Sequence, residues 1–149
     1  GITRAAQAVG MPVAISFTVE TDGRLASGES VSEAIAAVDL DSGWYPGYYG
    51  LNCTHPAHLA EGMWDDEVVR MRVRGFRANA SSRSHAELDE SETLDDGNPE
   101  ELGRQLGELR RTNHQLAVLG GCCGSDIRHI EAIGRSAVAA DSSIEAAAD

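Results

Sequence analysis

Short apolar runs alternate with amphipathic ones along the chain. Residues 12–19 (PVAISFTV), 46–52 and 71–78 (MRVRGFRA) are rich in β-formers, and residues 116–119 add a shorter apolar run, so four strands are predicted. Residues 1–9 read as the tail of a helix stopped by Gly10. Ser30 caps a helix over residues 31–39, and Glu33, three residues on, completes a capping-box pattern. Pro56, a favoured first-turn residue, predicts a helix over residues 56–63. Leu102, Leu106 and Leu109 fall at helical spacing in the clearest amphipathic segment, residues 99–111. A last helix is expected over residues 126–138, and the Ala/Ser/Asp-rich residues 139–149 are expected to fray. The polar residues 79–98 read as a long loop.

Strand, loop and helix repeat four times. That rhythm predicts an α/β fold with a mainly parallel sheet, and the loops after the strands are where such folds build their sites. Four βα units are half of an eight-stranded barrel; on periodicity alone a doubly wound sheet competes. A chain of 149 residues fits one domain, read as residues 1–138 with a tail at 139–149.

Composition narrows the partners. Acidic residues outnumber basic ones 24 to 12, every basic residue is arginine, and the net charge is −12. No basic stripe is present for nucleic acid or an anionic membrane, and no run approaches the roughly 20 apolar residues of a membrane span. With no secretory signal and three cysteines, the expectation is a reducing, cytoplasmic setting and metal or thiol chemistry rather than a disulfide framework.

All three cysteines lie in two motifs, Gly50-Leu51-Asn52-Cys53 and Gly120-Gly121-Cys122-Cys123-Gly124, each directly after a strand-like run. Neighbouring side chains on a regular strand point to opposite faces. The flanking glycines free the backbone, so that the sulfurs of Cys122 and Cys123 can turn to one side. Three thiolates with an open fourth position have the composition of a catalytic Zn²⁺ site, with Cu(I) or iron–sulfur as minor rivals. Such a zinc carries a formal charge of −1 and is a poor Lewis acid for water. It suits activating an incoming thiol, because coordination deprotonates a thiol while keeping its sulfur nucleophilic. Each cysteine taken alone could instead be core filling, and a vicinal Cys122–Cys123 disulfide is a strained alternative.

With Ser125-Asp126-Ile127-Arg128-His129-Ile130 after the second motif, and Ser16-Phe17-Thr18, Asp22-Gly23-Arg24-Leu25 and Gly28 after the first strand, the chain resembles the homocysteine S-methyltransferase family over about residues 12–133. The resemblance implies a (β/α)₈ TIM-barrel-type fold of which this chain covers approximately strands five to eight. It implies that Cys53, Cys122 and Cys123 bind the zinc, and that the activity is methyl transfer from an S-methyl or N-methyl donor to homocysteine, giving methionine. Asn52, Asn79 and Gly121 are the substrate-binding candidates it leaves. Where many members carry a Tyr-Pro-Asn-Ser-Gly-like segment, this chain has Arg77-Ala78-Asn79-Ala80-Ser81, and the polar insert at residues 82–96 leaves the donor open. The first four strands of such a barrel are not in the chain. The isolated piece is therefore expected to be inactive, its open edges to be covered by an N-terminal half-barrel or by a homo-oligomer.

Other polar groups read less sharply. Ser84, His85, Glu87 and Asp89 contain the ingredients of a hydrolytic triad but lie too close in sequence, so a polar loop explains them. His55 is a potential fourth ligand, though a loop or helix-start histidine fits better, since a fourth protein ligand would close the site. His129 reads as a packing or surface group on the last helix. The alternatives to a methyltransferase are a non-catalytic zinc module closed by His55 and a thiol redox protein using Cys122 and Cys123.

Overall fold

The computed structural model of the chain describes residues 1–147. Helix α1 (Ile2–Ala8) leads into β1 (Ala14–Phe17), followed by α2 (Val31–Ser42), β2 (Tyr48–Thr54), α3 (Glu67–Arg72), β3 (Val73–Ala78), α4 (His85–Asp89), α5 (Pro99–Thr112), β4 (Val118–Gly121) and α6 (Ile127–Ala147). The four strands pair in parallel and lie side by side in chain order, β1-β2-β3-β4. A doubly wound sheet reverses its order at a switch point. This one does not, and it is compatible with part of a (β/α) barrel. No helix among the described residues is long and apolar enough to cross a membrane.

One face of the sheet packs on the helices. Tyr49, Leu51 and Phe76 are buried there against Ile35, Leu102, Leu106 and Ile133. Helix α5 meets α6 unusually closely: a Cβ on Gly103 would stand 2.7 Å from the Ala132 backbone, and one on Gly107 2.7 Å from the Ser136 side chain. Beneath α2, Arg72 makes two 2.8 Å bonds to Asp39, and the Tyr49 hydroxyl donates to the same carboxylate at 2.8 Å. Burial pushes the Tyr49 hydroxyl pKa up, so the phenol stays protonated and able to donate.

The opposite face is uncovered. Ala14, Ser16, Tyr48, Arg77 and Val118 are exposed along it. Between them sit Gly50, next to Ser16, Gly75, next to Val118, and Gly120, next to Arg77. Parallel sheets are ordinarily covered on both faces.

Apart from shifts of up to two residues at the strand ends, the elements follow the sequence expectation with three differences. Pro56 starts a 3₁₀ turn of three residues (Pro56–His58) rather than a helix over residues 56–63. The helix of this unit is α3, which Asp66 caps by accepting from the Val68 and Val69 amides. The polar loop contains α4, with its own capping box between Ser84 and Glu87. Helix α6 continues past residue 138 to Ala147 instead of fraying, as alanine-rich sequence with high helix propensity allows. Ala148 and Asp149, the end of the expected frayed tail, lie outside the described residues.

Candidate functional site

The two cysteine motifs meet at the C-terminal end of the sheet. On β2, Asn52 is opposite Arg77 and Thr54 is opposite Ala78, so Cys53 is an extra residue without a partner on β3. This is a β-bulge, a device that re-aims a side chain. Cys53 takes φ = 49°, in the left-handed region that non-glycine residues seldom enter. The expectation placed Cys53 just after the strand; it lies inside it, at the bulge.

The second motif is stitched to β3 and the loop after it. The Cys122 amide donates to the Ala78 carbonyl at 2.8 Å, and the Ala80 amide donates to the Cys123 carbonyl at 3.0 Å. The Ser125 hydroxyl closes the turn on the Cys122 carbonyl at 2.6 Å. Two of the three flanking glycines have a definite use. Gly124 adopts φ = 76°, and a Cβ on Gly121 would stand 2.1 Å from the Ser125 hydroxyl. Gly120 keeps ordinary strand geometry with room for a side chain, so the expectation for all three holds at Gly121 and Gly124 and not at Gly120.

The Sγ atoms of Cys53, Cys122 and Cys123 all lie within 4.8 Å of one another. Cys53 and Cys123 Sγ are 3.6 Å apart, Cys53 and Cys122 are in disulfide contact with Cα atoms 5.4 Å apart, and Cys123 is free and exposed. Two sulfurs each about 2.3 Å from a tetrahedral zinc would be separated by about 3.8 Å, so the Cys53–Cys123 spacing fits that metal. The disulfide contact departs from the expectation of reduced thiols, and it joins Cys53 to Cys122 rather than the neighbours Cys122 and Cys123. Convergence accounts for both facts: sulfurs close enough to share a metal are close enough to bond when oxidised. The donor set fits zinc in its reduced form.

His55 does not join the cluster. Its Nδ1 accepts from the Ala57 amide at 3.1 Å as it caps the 3₁₀ turn, and burial lowers its pKa. His129 is fully buried, where Nε2 donates to the Asp96 carbonyl at 2.8 Å and Nδ1 accepts from the Asp126 amide at 3.1 Å. It therefore ties the start of α6 to the polar insert, which is a structural role. Of the substrate-binding candidates, Asn52 donates to the Thr18 hydroxyl at 3.0 Å, and Gly121 packs beneath Ser125.

Asn79 lines a cavity of about 330 Å³ together with Cys53, Cys123, His85, Leu88 and Leu94. The roof of this cavity is the polar insert, which reads as loop in the sequence. Ser84 and Glu87 do not act with His85 as a triad; they close the capping box of α4. His85 turns to Cys53: Nε2 donates to the Cys53 carbonyl at 2.8 Å, and Nδ1 bonds Glu20 Oε2 at 3.0 Å. Glu20 raises the His85 pKa chiefly through that bond. Sequence reading misses the roles of His85 and Glu20. The Ser84-x-x-Glu87 box is the available signal that His85 opens a helix rather than a loop.

The family model described as homocysteine S-methyltransferase matches residues 2–137. No curated protein matches the chain. A match over most of the chain agrees with the two cysteine motifs and with the parallel, sequentially ordered sheet: the chain belongs to the homocysteine S-methyltransferase family.

Proposed function

We propose that the chain is the zinc-binding part of an enzyme that moves a methyl group from an S-methyl or N-methyl donor to homocysteine, giving methionine. The observation that carries this reading is the convergence of Cys53, Cys122 and Cys123 within 4.8 Å beside a cavity, in a chain of this family. Membership implies homocysteine methyltransferase-type chemistry in general; the zinc, the product and the part played by this piece are the finer proposal.

Cys53, Cys122 and Cys123 would hold the metal as thiolates, from the ends of two strands separated by β3. A zinc held there would supply the positive charge that lets an incoming thiol lose its proton while its sulfur stays nucleophilic. The homocysteine sulfur attacks the donor's methyl carbon, and the bond from that carbon to the donor heteroatom breaks with its electron pair staying on the donor. The thiol proton passes to solvent. The cavity wall at Asn79, Leu88 and Leu94 holds the donor and excludes water. Asp89, Glu92 and Asp95 line the same cavity with no arginine among its described lining, which favours a positively charged sulfonium or ammonium donor.

The exposed sheet face and the free edges of β1 and β4 match the interior and the seams of a barrel whose other strands come from elsewhere. The proposed numbering makes these strands five to eight, completed by an N-terminal half-barrel or by a second copy. The proposed setting is the cytoplasm, where the thiols stay reduced.

Zinc analysis of the reduced protein tests the reading. One zinc per chain is expected, and Cys53→Ser, Cys122→Ser or Cys123→Ser should each abolish stoichiometric binding. Retention of full zinc by any of the three contradicts the ligand set. The Cys53–Cys122 disulfide contact favours one second reading, a thiol redox protein. That reading requires a reversible disulfide and no zinc in the reduced protein.

A further inference from the structure

The bulge at Cys53 leaves a question of geometry. A cysteine at φ = 49° in a β-strand is strained, and such strain persists only where surrounding groups over-determine it. Cys53 has no partner residue on β3, because the ladder steps from Asn52 to Thr54. Thr54 is itself well held: its carbonyl accepts from the Asn79 amide at 3.1 Å, and its hydroxyl accepts from the Val19 amide at 3.1 Å. Asn52 is tied to Thr18. The peptide between these two anchors is held by His85.

We propose that His85, oriented by Glu20, is a positioning residue that fixes the Cys53 peptide in its left-handed conformation and so aims the Cys53 sulfur at Cys122 and Cys123. Three chain segments meet in this clamp. Glu20 lies just beyond β1, Cys53 is near the end of β2, and His85 opens α4 in the insert between β3 and α5. The capping box of Ser84 with Glu87 fixes the first turn of α4 and with it the ring's starting point. Nε2 then reaches the Cys53 carbonyl at 2.8 Å, and the carboxylate of Glu20 stops the ring from turning away. Both partners are acceptors, so the ring donates from both nitrogens, Nε2–H to the Cys53 carbonyl and Nδ1–H to Glu20. The polar insert thereby gains a second role. It roofs the cavity, and it also holds a candidate zinc ligand in place.

The effect on metal affinity rests on the zinc reading, whereas the effect on thiol geometry does not, and two measurements separate them. Zinc affinity is read by competition with a chromophoric chelator under reducing conditions. The effective molarity of the Cys53–Cys122 pair is read in metal-free protein from its equilibrium with glutathione. His85→Gln keeps a donor near the Nε2 position, whereas His85→Asn can satisfy Glu20 but not reach Cys53.

His85→Asn and His85→Ala should weaken zinc binding by about 10–100-fold, the usual range for a group that orients a ligand. They should also lower the effective molarity by about tenfold, while His85→Gln stays near wild type. Should His85→Ala fail to fold, the Asn and Gln variants carry the comparison. Equal behaviour of the Asn and Gln variants, or wild-type values for both quantities in a folded His85→Ala protein, overturns the proposal. A wild type that takes no zinc, but in which the Asn variant still loses effective molarity, refutes the zinc reading and leaves His85's role standing.

Discussion

Cys53 differs from its two partner cysteines in how it is placed. Cys122 and Cys123 sit in a glycine-flanked turn, whereas Cys53 reaches the cluster through a bulge and a left-handed backbone. The convergence is legible in sequence, because every cysteine follows a strand-like run. The bulge is not, because register is a relation between two strands and leaves no mark on either alone. His55 reads in sequence as a ligand candidate or a turn residue, and its accepting Nδ1 places it in the turn. That role gives it a pH signature. Burial lowers its folded pKa, so at pH below the ordinary histidine value of about 6.5 the unfolded chain binds the proton more readily. Its contribution is therefore present above about pH 6.5 and is lost as pH falls through the lower folded pKa. His55→Asn keeps an acceptor for Ala57 but does not titrate. Between pH 7.5 and 5.5 the wild type should lose stability relative to this variant in denaturant titrations; a relative gain contradicts the assignment.

Among the elements, the strands and the long helices are legible because periodicity and caps agree there. The Ser30–Glu33 box is evident in the sequence and present in the fold. An identical box at Ser84–Glu87 is easily missed, since a five-residue helix has too few positions to show an apolar stripe. Pro56 misleads for a related reason: it opens a turn as readily as a helix, and Asp66 supplies the true cap. The close contact of α5 and α6 is also hidden, because Gly103 and Gly107 read as weak points in a helix until Ala132 and Ser136 are seen against them. Gly103→Val should destabilise by about 3 kcal/mol, at the upper end of ordinary overpacking. Gly134, with nothing within 4 Å of its missing Cβ, gives the opposite sign. There Gly134→Ala should stabilise by about 0.5–1 kcal/mol through helix propensity. Urea midpoints at unchanged slope check both, and a Gly103→Val protein as stable as wild type contradicts the close packing.

For the whole molecule, the fold class is legible from the βα rhythm, but the choice between barrel and doubly wound sheet is not. Strand order bears on that choice, and order is a long-range property that no local pattern encodes. The sequential order leaves one sheet face bare, with Tyr48 and Val118 exposed on it and Arg77 among them. On the barrel reading proposed above, further strands supply the groups that hold the substrate from the other side. The chain by itself should therefore bind zinc yet transfer no methyl group at a measurable rate. Turnover should appear when four further parallel βα units are supplied in the same polypeptide or in a second one. Robust methyl transfer by a monomer of this chain contradicts that expectation.

The central claim is that three thiolates hold a zinc whose remaining position accepts the substrate thiol. Zinc-edge X-ray absorption on the reduced, zinc-loaded protein tests it most directly. Three sulfur neighbours at about 2.3 Å and one lighter, exchangeable ligand are expected, becoming four sulfurs on addition of homocysteine. Three sulfurs and a nitrogen, unchanged by homocysteine, would contradict it.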